Sequence, residues 1–566
     1  MKVYLNKLKL IIGKDLKKIK FLVLATILIG FLDTLGIGLV GPYALLILDD
    51  NMYNVISSYI YRYSGINIGK SNLIIFASLF LISLFILKNM IAFFLQKKIL
   101  KFSYSVLHEL RKKIVKKFEY IGLLSLKKKK ISNILQLANN HTVIFANMTL
   151  TPIIRICSEI MILSFIIIFL AYTNFYALML IAIIFFVVTL VFFLVIKKNI
   201  DRSAKISAIS SEKVIKSIID FIYGFNEIRV FNKSKFFLKR FEKNSLDFTR
   251  EGAYYSSVQL IPRYLLETSL IAYICLFILL GHFLNIAPSS LIYDISIFFA
   301  ASIRVLPSLN QIIGNTNHIR YSRKHLNDLF NEISKDKDNF VKENLSITNN
   351  LLNDFSTLEF KNVSFKYNND DKFVINNLSF VITKGQTIGI SGRSGSGKTT
   401  LINLIMGLLK PTSGHILING VNIIDIENEW HKRISYIPQN FYLFDSSIKD
   451  NVTLFENNNE IKTNKLDKAF TNSNIYDFIK SLPNKEDTEV GDNATKLSGG
   501  QKQRLAIARS LYFDRQVIII DEGTSSLDLE NEKYIISSLK SLKNKTKIII
   551  SHSLEYKDLF DNVINF

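Results

Sequence analysis

Runs of apolar residues long enough to cross a bilayer dominate the first part of the chain, and they stop before about position 335. Six can be counted, near 21–48, 73–95, 149–172, 175–196, 265–283 and 291–309. At about 1.5 Å of rise per helical residue, each spans about 30 Å of hydrocarbon. Beyond them the pattern shortens into strand-like and helix-like stretches punctuated by Gly and Asn. The pattern predicts an all-α six-helix membrane domain over 1–335, a linker over 336–355 and a soluble α/β domain over 356–566. At 566 residues the chain is in any case too long for one core.

The connections between the apolar runs are uneven. Runs two and three, and runs four and five, are separated by long polar, helix-compatible stretches, whereas the other connections are short. Charge follows the same alternation. The formal net charge is +23, and the excess is zoned: seven lysines in the first twenty residues, more basic residues over 97–130, and again over 197–250. The connections on the other side, 49–72, 173–174 and 282–290, carry only Arg62 and Lys70 as basic residues. This is the positive-inside distribution, which puts the long connections, both termini and the soluble domain in the cytoplasm. The same distribution accounts for the basic balance, so no nucleic-acid partner is expected.

Cys157 and Cys275 both fall in apolar runs, which leaves neither a disulfide framework nor a zinc cluster. The first run is too long for a signal-peptide core and reads as a retained helix.

Charges inside the apolar runs are costly and are expected to face the bundle interior. They are Asp33, Lys88, Arg155, Glu159, Arg263, Glu267 and Arg304. Arg155 with Glu159, and Arg263 with Glu267, stand four apart, a spacing at which they neutralise each other on one helix face or serve a ligand. Lys88 and Arg304 have no partner at helical spacing. Three readings stay open for them: a snorkelling position, a pair across helices with Asp33, or a place in a substrate cavity.

The soluble domain carries its chemistry in order. Gly392-Arg393-Ser394-Gly395-Ser396-Gly397-Lys398-Thr399 follows the strand-like Thr387-Ile388-Gly389-Ile390 and runs into a helical stretch beginning with Thr400. Strand, glycine-rich loop and helix in that order make a phosphate cradle. Backbone N–H groups close on the phosphates, Lys398 reaches the β and γ oxygens, and Thr399 ligates magnesium. Further on, the buried-strand run Val517-Ile518-Ile519-Ile520 ends in Asp521-Glu522, one carboxylate placed to hold magnesium and the next to polarise an attacking water.

Between these two lies Leu497-Ser498-Gly499-Gly500-Gln501, followed by a helical stretch with Arg504 and Arg509. With this pentapeptide the soluble domain resembles the ATP-binding cassette family throughout. The resemblance implies ATP and Mg2+ as cofactors and assigns further residues. Tyr367 matches the aromatic on which adenine stacks, and Gln439 the loop glutamine that contacts magnesium and the membrane domain. Ser525-Ser526-Leu527-Asp528 matches the loop that crosses the dimer interface, and His552 the histidine that senses the γ-phosphate. Thr488-Glu489-Val490-Gly491-Asp492 looks like the exporter segment that contacts coupling helices. In this family one subunit's phosphate loop and the other's signature, with Ser498, Gly499, Gly500 and Gln501, enclose each ATP. One cassette with six helices therefore implies a homodimeric ATPase that drives export, with Glu522 hydrolysing at both sites.

Among such exporters the membrane half is most similar to bacterial flippases for lipid-linked oligosaccharides. Leu87-Lys88-Asn89, the stretch from Pro262 to Glu267 and the stretch from Ile303 to Asn310 carry the similarity. It implies that Lys88, Arg263 and Arg304 line a cavity for a pyrophosphate-linked glycan in a bacterial cytoplasmic membrane. At Lys88 the flippases have Arg, so charge is kept and the bidentate fork is lost. An exporter of other lipids, drugs or peptides is the alternative.

Overall fold

The computed structural model describes residues 11, 13–48, 50–65, 69–283, 288–334, 354–367, 372–393, 395–457, 459–491, 496–521, 534, 538, 541–542, 544–550 and 560–566. They form two compact units: Met1–Ile121 with Lys127–Phe340, and Val341–Phe566 with the short segment Gly122–Leu126.

The first unit is helical. Its elements are α1 (Leu16–Leu48), α2 (Asp50–Ser64), α3 (Lys70–Tyr120), α5 (Ile131–Thr173), α6 (Phe175–Tyr223), α7 (Phe225–Val230), α8 (Ser234–Val258), α9 (Ile261–Phe283), α10 (Pro288–Tyr321) and α11 (Arg323–Ser334). Six stretches among the described residues are long and apolar enough to cross a membrane. With 51 residues, α3 is roughly 75 Å long, so more than half of it extends beyond a bilayer core. The polar connections read from the sequence are therefore continuations of the spanning helices. The chain bends at Gln259 and Leu260 between α8 and α9, just before Pro262, which has no N–H to give and sits where a helix start needs none.

Two features of this unit have no signal in the hydrophobic pattern. First, α5 is not uniform, for Gln136–His141 and Ala146–Leu150 are π-helical. The widened turns present polar groups inward: Gln136 donates to Ser211 Oγ at 3.1 Å, and Thr149 and Ser322 share a hydrogen bond of 2.7 Å. Second, glycine bears on the helix spacing. A Cβ on Gly36 would lie 3.1 Å from the Phe85 ring, a tight contact, so the missing side chain eases the close approach of α1 and α3.

The second unit is α/β. An antiparallel sheet has the order β2-β1-β4-β5, with β1 (Thr357–Phe365), β2 (Ile375–Thr383), β4 (Ser413–Ile418) and β5 (Val421–Asn422). A parallel sheet has the order β6-β7-β8-β3-β9, with β3 (Thr387–Ser391), β6 (Ile434–Ile437), β7 (Val517–Asp521), β8 (Thr546–Ile550) and β9 (Asn562–Asn565). All five residues of β7 are buried, as its unbroken aliphatic run requires of a strand covered on both faces. Burying each of those aliphatic side chains stabilises the unit by about 2 kcal/mol. Around the sheets stand α12 (Lys398–Ile405), α13 (Glu427–His431), α14 (Ile448–Thr453), α15 (Thr463–Asn472), α16 (Tyr476–Ser481) and α17 (Gly499–Tyr512). One core joins both sheets to α12, through Leu401 and Ile402 of the helix, Phe360 and Ile416 of the antiparallel sheet, and Val517 and Ile548 of the parallel one. Leu123 and Leu124, in the short helix α4 (Leu123–Lys127), pack against that core's edge. A second core, with Leu466, Phe470, Leu505 and Tyr512, holds α14 to α17 together.

Candidate nucleotide site and the charges of the membrane unit

Parallel strands end on the same side, and that edge is where an α/β sheet offers its binding crevice. Here β3 delivers the glycine loop and β7 delivers Asp521 to the same edge. Gly395 and Gly397 adopt φ of +81° and +107°, values that a side chain would strain. A Cβ on Gly392 would lie 2.6 Å from the Phe566 carbonyl oxygen, so this glycine answers to close packing instead. The loop ends directly in α12, whose first-turn N–H groups are the usual anion-binding donors. Lys398 Nζ donates to the carbonyls of Gly392 at 2.8 Å and Arg393 at 3.1 Å, curling over its own loop. Among the described residues the buried Ser396 Oγ has no hydrogen-bond partner. A buried hydroxyl left unpaired at the start of a helix fits a phosphate, which supplies the missing acceptor.

Thr399 is exposed beside this loop, whereas Thr400 is buried and shares a hydrogen bond of 2.9 Å with the Tyr367 hydroxyl. The ring expected to stack on adenine is thus tethered to the phosphate-loop helix. Asp521 is buried at the end of β7 and accepts from the Tyr436 hydroxyl at 3.3 Å. Burial raises the Tyr436 pKa, and the nearby Asp521 charge raises it further. An oxygen set of Thr399 and Asp521 suits a hard cation such as Mg2+. Gln439 is exposed two residues past the end of β6.

Ser498 caps α17. Its Oγ accepts from the Gln501 N–H at 3.3 Å, and Gln501 Oε1 accepts from the Ser498 N–H at 2.9 Å. This reciprocal capping box fixes the helix start, and among the described residues none outside the local backbone comes within 4 Å of where a Gly499 Cβ would be. The Thr488 segment pairs with the chain ahead of α14 through the bridge of Ser447 with Glu489 and a Val490 N–H to Ser446 carbonyl bond of 3.1 Å. Ser394, Glu522, the loop of Ser525 to Asp528, Asp492 and His552 lie outside the described residues.

In the membrane unit the charges are gathered across helices. Asp33 of α1 accepts from Lys88 Nζ of α3 at 2.6 Å on one oxygen and from Arg304 Nε of α10 at 2.8 Å on the other. Arg304 also lies 3.4 Å from Glu159 of α5, which accepts from Ser308 Oγ at 2.7 Å. Of the readings open for Lys88 and Arg304, the structure forms the pair with Asp33. Glu159 turns to Arg304 and Ser308, and the buried Nε of Arg155 has no hydrogen-bond partner among the described residues. Arg263 stands apart, bonded to Glu267 at 2.8 Å with both side chains largely exposed.

The comparisons agree with this geometry. Residues 375–525 match the family model described as ABC transporter. A segment of 209 residues is 39% identical to the "ATP-dependent lipid A-core flippase" of Haemophilus influenzae, covering 37% of this chain and 35% of that protein. The protein of the same description from Bordetella avium is also 39% identical over 209 residues, with the same coverage. The matched segment thus spans about a third of the length of these curated relatives. A solved structure, described as a bacterial Atm1-family ABC exporter with ATP bound, superposes with a TM-score of 0.76 at 18% identity, covering 98% of this chain and 94% of that one. The family match lies within the soluble unit. The chain as a whole has the ABC-exporter fold, a membrane unit with six candidate spans fused to one cassette.

Proposed function

We propose that two copies of this chain form an ATP-driven exporter in a bacterial cytoplasmic membrane, with the cassettes and both termini on the cytoplasmic side. Fusion of a six-span membrane unit to a single cassette carries this reading, because one cassette supplies a phosphate loop and a signature that face different nucleotides in a shared-site dimer. ATP bound with Mg2+ supplies the free energy. Around it, Lys398 and the loop N–H groups hold the phosphates, Thr399, Gln439 and Asp521 fit the cation, and Tyr367 offers a ring to adenine. Glu522 takes the role of polarising water, and His552 that of reading the γ-phosphate. Ser498, Gly499, Gly500 and Gln501 close the site of the other copy.

The substrate we infer is an anionic, sugar-bearing lipid. A lipid-linked oligosaccharide is the particular class that the membrane-half resemblance favours, and the lipid A-core flippases among the relatives favour a glycolipid of the same general chemistry. The supporting observation is that two cations, Lys88 and Arg304, converge on one buried carboxylate within the apolar spans. A lipid phosphate offers the same acceptors as Asp33 with more charge, so it competes for both cations. Arg263, exposed on α9, adds a third. Purified chain in vesicles tests the reading: ATP should drive flipping of a fluorescent pyrophosphate-linked glycolipid faster than of a neutral lipid of equal chain length. Equal rates for the two lipids would remove the anionic-substrate claim.

A further inference from the structure

We infer that Arg509 is a positioning residue that ties the loop carrying Gln439 to the helix carrying Ser498, an inference that rests on the ATP-hydrolysing reading above. The two ends of the link are distant in sequence. After β6 ends at Ile437, the chain passes Gln439, Tyr442 and Phe444 before α14 begins at Ile448. Ser498 starts α17, and Arg509 lies in that helix's last turn.

From there the guanidinium reaches three acceptors. Nε donates to the Asn451 carbonyl at 2.8 Å, Nη1 to the Tyr442 carbonyl at 3.0 Å, and Nη2 to Asn451 Oδ1 at 3.3 Å. The same guanidinium stands 5.9 Å from the centre of the Phe444 ring. Asn451, fully buried, extends the restraint: its Oδ1 also accepts from the Phe444 N–H at 2.8 Å, and its Nδ2 donates to the carbonyls of Phe444 at 2.9 Å and Ser447 at 3.0 Å. The loop after Gln439 is thus held at Tyr442, Phe444 and Ser447 by two side chains.

Two observations argue for more than packing. Among the described residues Arg509 bonds carbonyl and amide oxygens and no carboxylate, although burial disfavours its charge and lowers its pKa. An aliphatic side chain would fill the space without that desolvation cost. What a guanidinium adds is a planar fork that fixes two carbonyls relative to each other. The second observation is what it joins. Gln439 belongs to the nucleotide on its own chain's phosphate loop, whereas Ser498 faces the nucleotide of the other copy. A rigid tie between them makes a shift at one site move a group at the other.

Steady-state ATP hydrolysis by the full-length transporter, measured against ATP concentration, tests this with Arg509→Ala and Arg509→Lys. Wild type should show cooperative dependence on ATP. Arg509→Ala should lose roughly tenfold in kcat, the scale of a small misplacement of a catalytic group. Its ATP dependence should become non-cooperative, while binding of a non-hydrolysable ATP analogue changes by less than about twofold. Arg509→Lys keeps the charge without the fork and should recover only a minor part of the rate. A purely packing role would lower the melting temperature but leave the cooperativity of the folded fraction intact, and that result overturns the inference. Should Arg509→Ala fail to fold, the cooperativity of Arg509→Lys decides in the same way. A wild-type chain that hydrolyses no ATP would overturn the functional reading and this inference together, whereas unchanged kcat and cooperativity in both variants beside an active wild type overturns this inference alone.

Discussion

Arg304 and Asp33 are 271 positions apart in the sequence and 2.8 Å apart in the structure, Nε to Oδ2, with Asp33 only 3% exposed. Because Lys88 takes the other Asp33 oxygen, one carboxylate on α1 holds cations from two other helices. Removing it leaves Lys88 without a counter-charge among the described residues and Arg304 with Glu159 alone, in an apolar setting. Truncating one member of a buried ion pair costs on the order of 3 kcal/mol.

Asp33→Asn should therefore lower the detergent-solubilised melting temperature by several degrees. The control is Glu267→Gln, which breaks only the exposed pair with Arg263 and should leave melting unchanged. Equal melting of Asp33→Asn and wild type would show that the network contributes nothing to stability.

If Lys88 and Arg304 also receive substrate, Arg304→Ala should slow lipid translocation while ATP hydrolysis by detergent-solubilised protein persists. Arg263→Ala should slow it without affecting melting, since that side chain packs against little. Parental flipping rates in Lys88→Ala, Arg263→Ala and Arg304→Ala alike would assign these charges to structure alone.

Tyr367 separates two roles in one side chain. Its hydroxyl bonds Thr400, and in the proposed function its ring is the surface for adenine. Stacking of this kind contributes about 1 kcal/mol, so Tyr367→Ala should weaken ATP binding by roughly fivefold whereas Tyr367→Phe stays within about twofold of wild type. Titration calorimetry on the two variants checks this, and equal affinities for Ala and wild type would exclude the stacking role.

Site sharing between copies predicts complementation. Lys398→Ala spoils the phosphate loop, and Ser498→Arg spoils the signature. Each variant alone should be inactive. Co-assembled, they form heterodimers with one intact site, and random pairing restores up to about a quarter of wild-type sites. No recovery of ATP hydrolysis in a verified mixed dimer would count against shared sites.

Much of this architecture is readable in the sequence, because its signals are local. Spanning helices need apolar runs of fixed length, and the phosphate loop needs glycines at fixed offsets; Gly395 and Gly397 do adopt the left-handed backbone. What could not be read depends on contacts distant in sequence or on small changes in helical repeat. The π-helical turns of α5 widen the backbone repeat over Gln136–His141 and Ala146–Leu150, where no residue type in the sequence marks them. Arg155 and Glu159 stand at pairing distance along a helix, yet Glu159 finds Arg304 and Ser308 on α10 instead. Arg509 is one of two arginines in a helical stretch, and nothing in its neighbours along the chain points to the loop it holds.

The central claim is that ATP hydrolysis at the cassette drives lipid across the membrane. Reconstituted vesicles carrying wild type or Glu522→Gln, assayed together for ATP binding, hydrolysis and flipping of a pyrophosphate-linked glycolipid, test it most directly. The account predicts ATP-dependent flipping by wild type. In Glu522→Gln it predicts ATP binding within about twofold of wild type and a loss of hydrolysis and flipping together, on the order of a hundredfold, because only the water-polarising group is changed. Flipping by wild type at the same rate with and without ATP, or undiminished hydrolysis in Glu522→Gln, would contradict it.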